Sequence, residues 1–170
     1  ESTTWTVEQM FKGPEDYKVL RFLVGDQQPA PAYEGFLKAQ RQMDGEAFLK
    51  TGAPGIALHT IMYTYLGIET FALEWADRRD EILALNDLMS QKHRQIYEIV
   101  AKSPGLVVQL GGNYSSEVLG KDRFIDFVLP HWEEACGILH DGGKLPGCHL
   151  DANNRLWAKE VGDSDLDWIE

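Results

Sequence analysis

Cysteine is nearly absent from this chain: Cys136 and Cys148 are the only two among 170 residues. Two are too few for a disulfide framework, so both thiols are expected to stay reduced. Long apolar runs are missing as well. No stretch approaches the roughly 20 residues that span a bilayer, and no basic-then-apolar segment opens the sequence. A cytoplasmic protein with no membrane partner is the expectation. Positive charge is scarce, with 16 Lys and Arg against 27 Asp and Glu and a formal net charge of -11. No Lys/Arg cluster is available to displace the counterions of a phosphate backbone, so nucleic acid is not an expected partner. The GxGxxG turn is absent too, which argues against a dinucleotide-binding sheet.

What is present is ordinary globular material. With 44% hydrophobic and 25% charged residues, the chain suits one domain with a substantial core. The chain begins with Glu1 and closes on what reads as a strand ending in Glu170, so a piece of a longer barrel is expected.

Residues 1–45 read as an N-terminal arm with lid helices. Residues 2–8 alternate like a hairpin arm or edge strand. A helix opens at Gly13-Pro14-Glu15-Asp16 and runs to about Val24. Pro29 and Pro31 then break the chain before a second helix, Tyr33 to Met43.

Residues 46–170 read as successive βα units. A strand at Glu46 to Thr51 meets Gly52-Ala53-Pro54-Gly55 and a helix carrying Ile56, Leu58, Ile61, Met62 and Tyr65. Gly67 interrupts, and Ile68 to Trp75 forms another short helix. Asp77 then caps a long helix from Arg78 to Lys102, whose stripe is Ile82, Leu85, Met89, Ile96 and Val100. Leu106 to Leu110 is a near-continuous apolar run, as a parallel strand covered on both faces requires.

A further helix from Lys121 presents Phe124, Phe127, Val128, His131, Ala135, Ile138 and Leu139 at helical spacing, and Gly142-Gly143 stops it. A strand from Leu145 to Asp151, a short helix from about Asn154 to Val161 and a strand from Leu166 to Glu170 complete the order.

Four strands separated by helices imply an α/β fold with a parallel sheet. Polar residues just past the strand ends favour a section of a (β/α)8 TIM barrel over a doubly wound sheet. Lys50-Thr51-Gly52, Asn113-Tyr114-Ser115, His149-x-Asp151 and Glu170 would share one rim.

His149 and Asp151 sit two apart, so both point to one face of their strand while Cys148 and Leu150 point to the other. Imidazole and carboxylate together can ligate a metal or pass a proton; the plainer account is a fixed histidine and a helix-capping aspartate. Asn113, Tyr114 and Ser115 offer amide and hydroxyl groups to a substrate, or simply suit a turn. Glu170 is a site candidate by position alone. His93, His131 and His140 are expected to be structural, and the two thiols to be small buried hydrophobes.

The stretch from Asp122 to Asn153 resembles the uroporphyrinogen decarboxylase superfamily. Phe124, Phe127 and Pro130 with Trp132 carry a Phe-x-x-Phe-x-x-Pro-x-aromatic pattern, followed by Gly143-Lys144 and a strand reaching His149. Gly52-Ala53-Pro54 and the Pro14-Glu15-Asp16 helix start are similar to features of the same superfamily. The resemblance implies a (β/α)8 barrel, of which this chain would hold about the middle half. It also implies that His59 and Tyr63 approach the substrate, while packing of an apolar helix is the plainer and favoured account of the pair.

Two branches of the superfamily frame the expected activity. In the corrinoid-dependent methyltransferases a zinc is held by a His-x-Cys strand end and a later Cys, with the corrinoid methyl donor on a partner protein. Here His149 matches the histidine and Asp151 stands at the cysteine position; a His-plus-carboxylate site for zinc or another divalent metal is chemically reasonable, and corrinoid-linked methyl transfer is the leading expectation. In the decarboxylases a tetrapyrrole or smaller carboxylic acid is the substrate and no cofactor is used. A third expectation is a non-catalytic scaffold, completed by the remainder of the barrel or a second subunit.

Overall fold

The computed structural model describes residues 6–43, 45 and 47–170. The chain divides into two compact units: one holds the chain up to Gln27 together with Ala57–Gln91, the other Gln28–Ile56 together with Lys92–Glu170.

In the first unit, Pro14–Asp16 forms a 3-10 turn that leads into α1 (Tyr17–Gly25). Pro14 suits the first turn because it has no N–H to leave unpaired. Helix α1 buries Tyr17, Leu20 and Val24 at threefold and fourfold spacing. Helix α3 (Ala57–Thr60) continues into a wider π-helical stretch, Ile61–Leu66, and Gly67 separates it from α4 (Ile68–Asp77). Glu74 is 7% exposed, yet it is stabilised twice: the Tyr17 hydroxyl donates to it at 3.1 Å and Arg78 pairs with it at 2.8 Å. Both partners are needed to offset the desolvation of a buried carboxylate.

The second unit is built on a four-stranded, all-parallel sheet in the order β1 (Lys50–Ala53), β2 (Val107–Leu110), β3 (Leu145–Cys148), β4 (Trp168–Ile169). The register sets Gly52, Gln109, Gly147 and Trp168 in one row. Helix α2 (Glu34–Met43) precedes β1. The long α5 (Arg79–Ala101), which begins in the first unit, precedes β2. Helices α6 (Ser116–Leu119) and α7 (Lys121–Arg123), a π-helical stretch Phe124–Val128, and α8 (Leu129–Asp141) lie between β2 and β3. A 3-10 turn, Arg155–Trp157, and α9 (Ala158–Gly162) lead towards β4. Helix α8 ends because Gly143 takes φ 69, which lets Lys144 N–H donate to Leu139 O and Gly143 N–H to His140 O.

Side chains alternate across these strands, so the two sheet faces differ. Val108, Leu110 and Cys148 on one face are fully buried, alongside Phe124, Val128, Trp132, Ala135, Cys136 and Leu139. Burying each large apolar side chain contributes about 1.5–3 kcal/mol. The other face carries Lys50, Gln109, Gly147, His149, Trp168 and Glu170.

On that second face the Lys50 ammonium pairs with the Glu170 carboxylate and lies 5.3 Å over the Trp168 ring. In a flat sheet their strands would stand about 14 Å apart, and the two residues a further four positions apart along the strand direction. Two side chains do not reach that far, so the sheet curls, with this face concave. An all-parallel curled sheet alternating with helices is compatible with part of a barrel.

Several expectations shift. The first strand is Lys50–Ala53 rather than Glu46–Thr51, so Lys50, Thr51 and Gly52 lie inside the ladder instead of past its end. Pairing with Val107–Leu110 decides this, overriding the weak strand propensity of Gly and Ala. In the expected opening arm, residues 2–5 lie outside the described residues, and residues 6–8 form no strand. Asp77 ends α4 rather than capping α5. On α5 the buried stripe runs through His93 and Tyr97 in place of Ile96.

On α8 the fully buried positions include Trp132 and Cys136, while Phe127, His131 and Ile138 are only partly buried. The π-helical turn at Phe124–Val128 takes up an extra residue, so the buried positions Phe124, Val128 and Trp132 follow a spacing of four.

Candidate functional site

The C-terminal rim of the sheet is where the second unit gathers its polar side chains. His149 follows β3 directly, and its Nε2 lies 2.8 Å from Asp151 Oδ2. Its other nitrogen, Nδ1, lies 3.9 Å from Glu170 Oε2. The imidazole thus stands between two carboxylates, in hydrogen-bond contact with one and 3.9 Å from the other.

Backbone pairing delivers Glu170 there: its N–H donates to Cys148 O at 3.1 Å and its carbonyl accepts from Leu150 N at 2.9 Å. The Lys50 ammonium, by hydrogen bond and by charge, holds the Glu170 carboxyl below the usual carboxylate range, and His149 lowers it further. Trp168 fixes the floor of this face. Its indole N–H donates to Leu145 O at 3.0 Å, and its ring lies so close over Gly147 that a Cβ there would sit 2.1 Å from the ring.

The loops around the rim are tied down. Asn113 Oδ1 accepts from Ala152 N at 3.0 Å, which joins the loop after β2 to the loop after β3. Asn154 holds that second loop from within, donating to Leu150 O and Ala152 O while its own oxygen accepts the Trp157 indole N–H at 2.8 Å. Gly55 and Gly111 pack so tightly that a Cβ on Gly55 would meet Gly111 O at 1.9 Å.

Asn113, His149, Asp151 and Glu170 therefore belong to one rim. Ser115 is near it in sequence, but its hydroxyl donates to Glu117 Oε2 at 2.6 Å, and that bond holds the Glu117 carboxyl below its usual range. Tyr114 is 1% exposed. Its hydroxyl donates to Gly111 O at 3.1 Å, its ring packs against Phe124 and Trp132, and burial pushes its phenol far above the ordinary range. It is therefore a core residue that braces the loop, with no hydroxyl presented to a substrate. His59 and Tyr63 lie in the first unit with ring centroids 4.4 Å apart, the Tyr63 phenol raised by burial.

Residues missed by sequence reasoning are Lys50 as the partner of Glu170, Trp168 as the floor and Asn154 as the loop pin. The Asn153-Asn154 pair after a strand end was the available signal for the last.

The donor set for a metal is small. Among the described residues no group of three or more His, Cys, Asp and Glu is placed to hold a metal ion. His149 Nε2 and Asp151 Oδ2 are two donors, one fewer than the three protein ligands of a catalytic zinc. Glu170 faces the opposite ring nitrogen and cannot share an ion with Nε2. Cys148 points into the core with its thiol pushed up to about 12 by burial, so it is no thiolate at neutral pH. A cavity of about 420 Å³ opens elsewhere in the unit, lined by Trp132, Glu133, Glu160 and Asp165 among others, and shares no residue with the rim.

No family model, no curated protein and no solved structure matches this chain. Fold and site define a class: an α/β protein whose curled parallel sheet carries a histidine between two carboxylates at its strand ends. Among the described residues no helix is long and apolar enough to cross a membrane.

Proposed function

We propose that this chain carries one sector of the catalytic rim of a barrel enzyme similar to the uroporphyrinogen decarboxylase superfamily. The best-supported activity is cofactor-free decarboxylation of a porphyrinogen or related carboxylic acid. The observation that carries this reading is the placement of His149 between Asp151 and Glu170 on the concave face. Asp151 fixes the ring through Nε2 and leaves Nδ1 turned towards Glu170, a geometry that suits a proton carrier. In decarboxylation the carbon–carbon bond to the carboxylate breaks, its electron pair stays on the substrate carbon, carbon dioxide leaves, and the carbon takes a proton. His149 donates that proton, with Asp151 orienting the ring. The outer strands β1 and β4 each leave one edge for a neighbour, which the remainder of a barrel or a second subunit would cover.

The test is turnover of a porphyrinogen bearing acetate side chains, followed as carbon dioxide released and carboxyls lost. His149→Asn is expected to lower the rate about 100-fold or more, the scale of a lost general acid. Full activity in that variant, or no binding of the tetrapyrrole by the wild type, overturns the reading.

A second reading, corrinoid-linked methyl transfer with zinc or another divalent metal, is favoured by one distance. His149 Nε2 and Asp151 Oδ2 lie side by side at 2.8 Å, and a small outward shift would open them to the roughly 3.3 Å between two ligands of a tetrahedral zinc. It requires a third ligand from another segment or a partner. Calorimetric titration with zinc, repeated on Asp151→Ala, decides it: binding that the variant loses supports the methyltransferase, and no binding removes it.

A further inference from the structure

The loop that follows β1 is held from behind by a buried chain of uncharged hydrogen bonds. Tyr97 Oη on α5 donates to Pro54 O at 3.2 Å and lies 3.4 Å from His131 Nδ1 on α8. A phenol has one proton, and a proline carbonyl only accepts. With that proton on Pro54, the contact to His131 forms when Nδ1 carries hydrogen and donates to Tyr97. One turn earlier on α5, His93 hydrogen-bonds the Gly55 backbone.

The remaining ring nitrogens, His93 Nδ1 and His131 Nε2, are buried and have no hydrogen-bond partner among the described residues. Each is a lone pair shielded from solvent, which a proton would convert into a buried N–H with no acceptor among the described residues. The loop held in this way is joined to the rim. Gly111 N–H donates to Ala53 O at 2.9 Å, Gly55 packs on Gly111, and Asn113 follows two residues later.

We propose that His93, Tyr97 and His131 form an acid-sensitive latch: in their neutral state they fix Pro54–Gly55 against Gly111 and so position the Asn113 loop, and protonation of either imidazole releases it. They are positioning residues, acting through the loop.

The groups packed around them do not rescue a charge. Beside Tyr97, on α5 and α8, these are Arg94 and Glu134, paired with each other, and from the loop after β2 there is the Tyr114 phenol. Burial holds His93 below its ordinary range and pushes His131 down to about 3, with repulsion from His93 adding to the effect. Because the closed form takes up its proton at lower pH than the open form, the latch is shut near neutrality. It weakens as pH falls below the ordinary imidazole value. The consequence for catalysis rests on the reading of the His149 rim as a site; the test does not.

The test is amide hydrogen exchange of the whole chain by NMR from pH 7 to 4.5, corrected for intrinsic exchange. Gly111 reports the latch, and Leu145, bonded to Leu106 O across the sheet, reports the ladder. Protection at Gly111 is expected to fall about tenfold or more while Leu145 holds. Tyr97→Phe is expected to show the same loss already at pH 7. The double variant His93→Gln with His131→Asn keeps a donor at each bonded position and cannot be protonated, so its Gly111 protection is expected to stay flat with pH.

Protection at Gly111 that is constant in the wild type, or that falls in step with Leu145, overturns the latch. If the variants fail to fold, the wild-type imidazole titrations decide: midpoints near 6.5 with no change at Gly111 overturn it, and depressed midpoints that track Gly111 support it.

Discussion

The two faces of the curled sheet obey different rules. On the helix-covered face Val108, Leu110 and Cys148 are fully buried, and nothing there is charged. On the concave face, reached by a step of one residue along a strand, Lys50, His149 and Glu170 keep side-chain exposures of 36%, 38% and 53%. A parallel sheet buried on both sides has near-continuous apolar strands. Here one face is built for cohesion, and the other gives up burial for an ordered set of charges. Stability and chemistry should therefore separate by face.

The largest expected effect is on the buried face. Leu110→Ala should cost about 2–5 kcal/mol and lower the urea midpoint accordingly, whereas His149→Ala should cost under about 1 kcal/mol while abolishing turnover. A His149 variant as unstable as Leu110→Ala would erase the distinction. Next in size is acid sensitivity. His131, partly buried with its Nε2 shielded from solvent and held down at about 3, binds its proton far less readily in the folded chain than in the unfolded one. Unfolding therefore becomes easier as pH falls from about 6.5 towards 3, by up to a few kcal/mol. Thermal melts across that range check this, and His131→Asn should flatten the slope.

Gly147→Ala probes the contact between floor and ladder. Its Cβ would sit 2.1 Å from the Trp168 ring, so a cost of about 1–3 kcal/mol is expected, with a red shift in tryptophan fluorescence as the ring lifts. The smallest effect belongs to Lys50→Met. It removes the partner of an exposed carboxylate, so the urea midpoint should stay within error while the acid limb of any pH–rate profile moves up, because Glu170 loses the interaction that keeps it ionised.

Much of the second unit is legible in the sequence because its signals are local. The apolar run Leu106 to Leu110, which holds β2, the Gly142-Gly143 stop and the two-residue spacing of His149 and Asp151 each act over a few residues. Misreadings arose where a distant partner decided. Strand pairing with β2 pulled Gly52 and Ala53 into β1. The π-helical turn at Phe124–Val128 replaced His131 with Trp132 on the buried face, and no three-or-four spacing rule anticipates an extra residue in a turn. Tyr114 sits in a turn-rich segment that reads as exposed, yet its ring fills a gap against Phe124 and Trp132, contributed by chain ten and eighteen positions further on.

By itself the sequence determined the alternation of strand and helix, the helix stops and the order of the polar strand ends, since hydrophobic period and glycine chemistry are properties of short stretches. Only the tertiary structure decided that the sheet curls, that Lys50 meets Glu170 across it, and that His93, Tyr97 and His131 converge behind Pro54 and Gly55. Those arrangements depend on the register of strands and helices separated by dozens of residues. Packing and desolvation summed over the whole unit set that register, and no single segment encodes it.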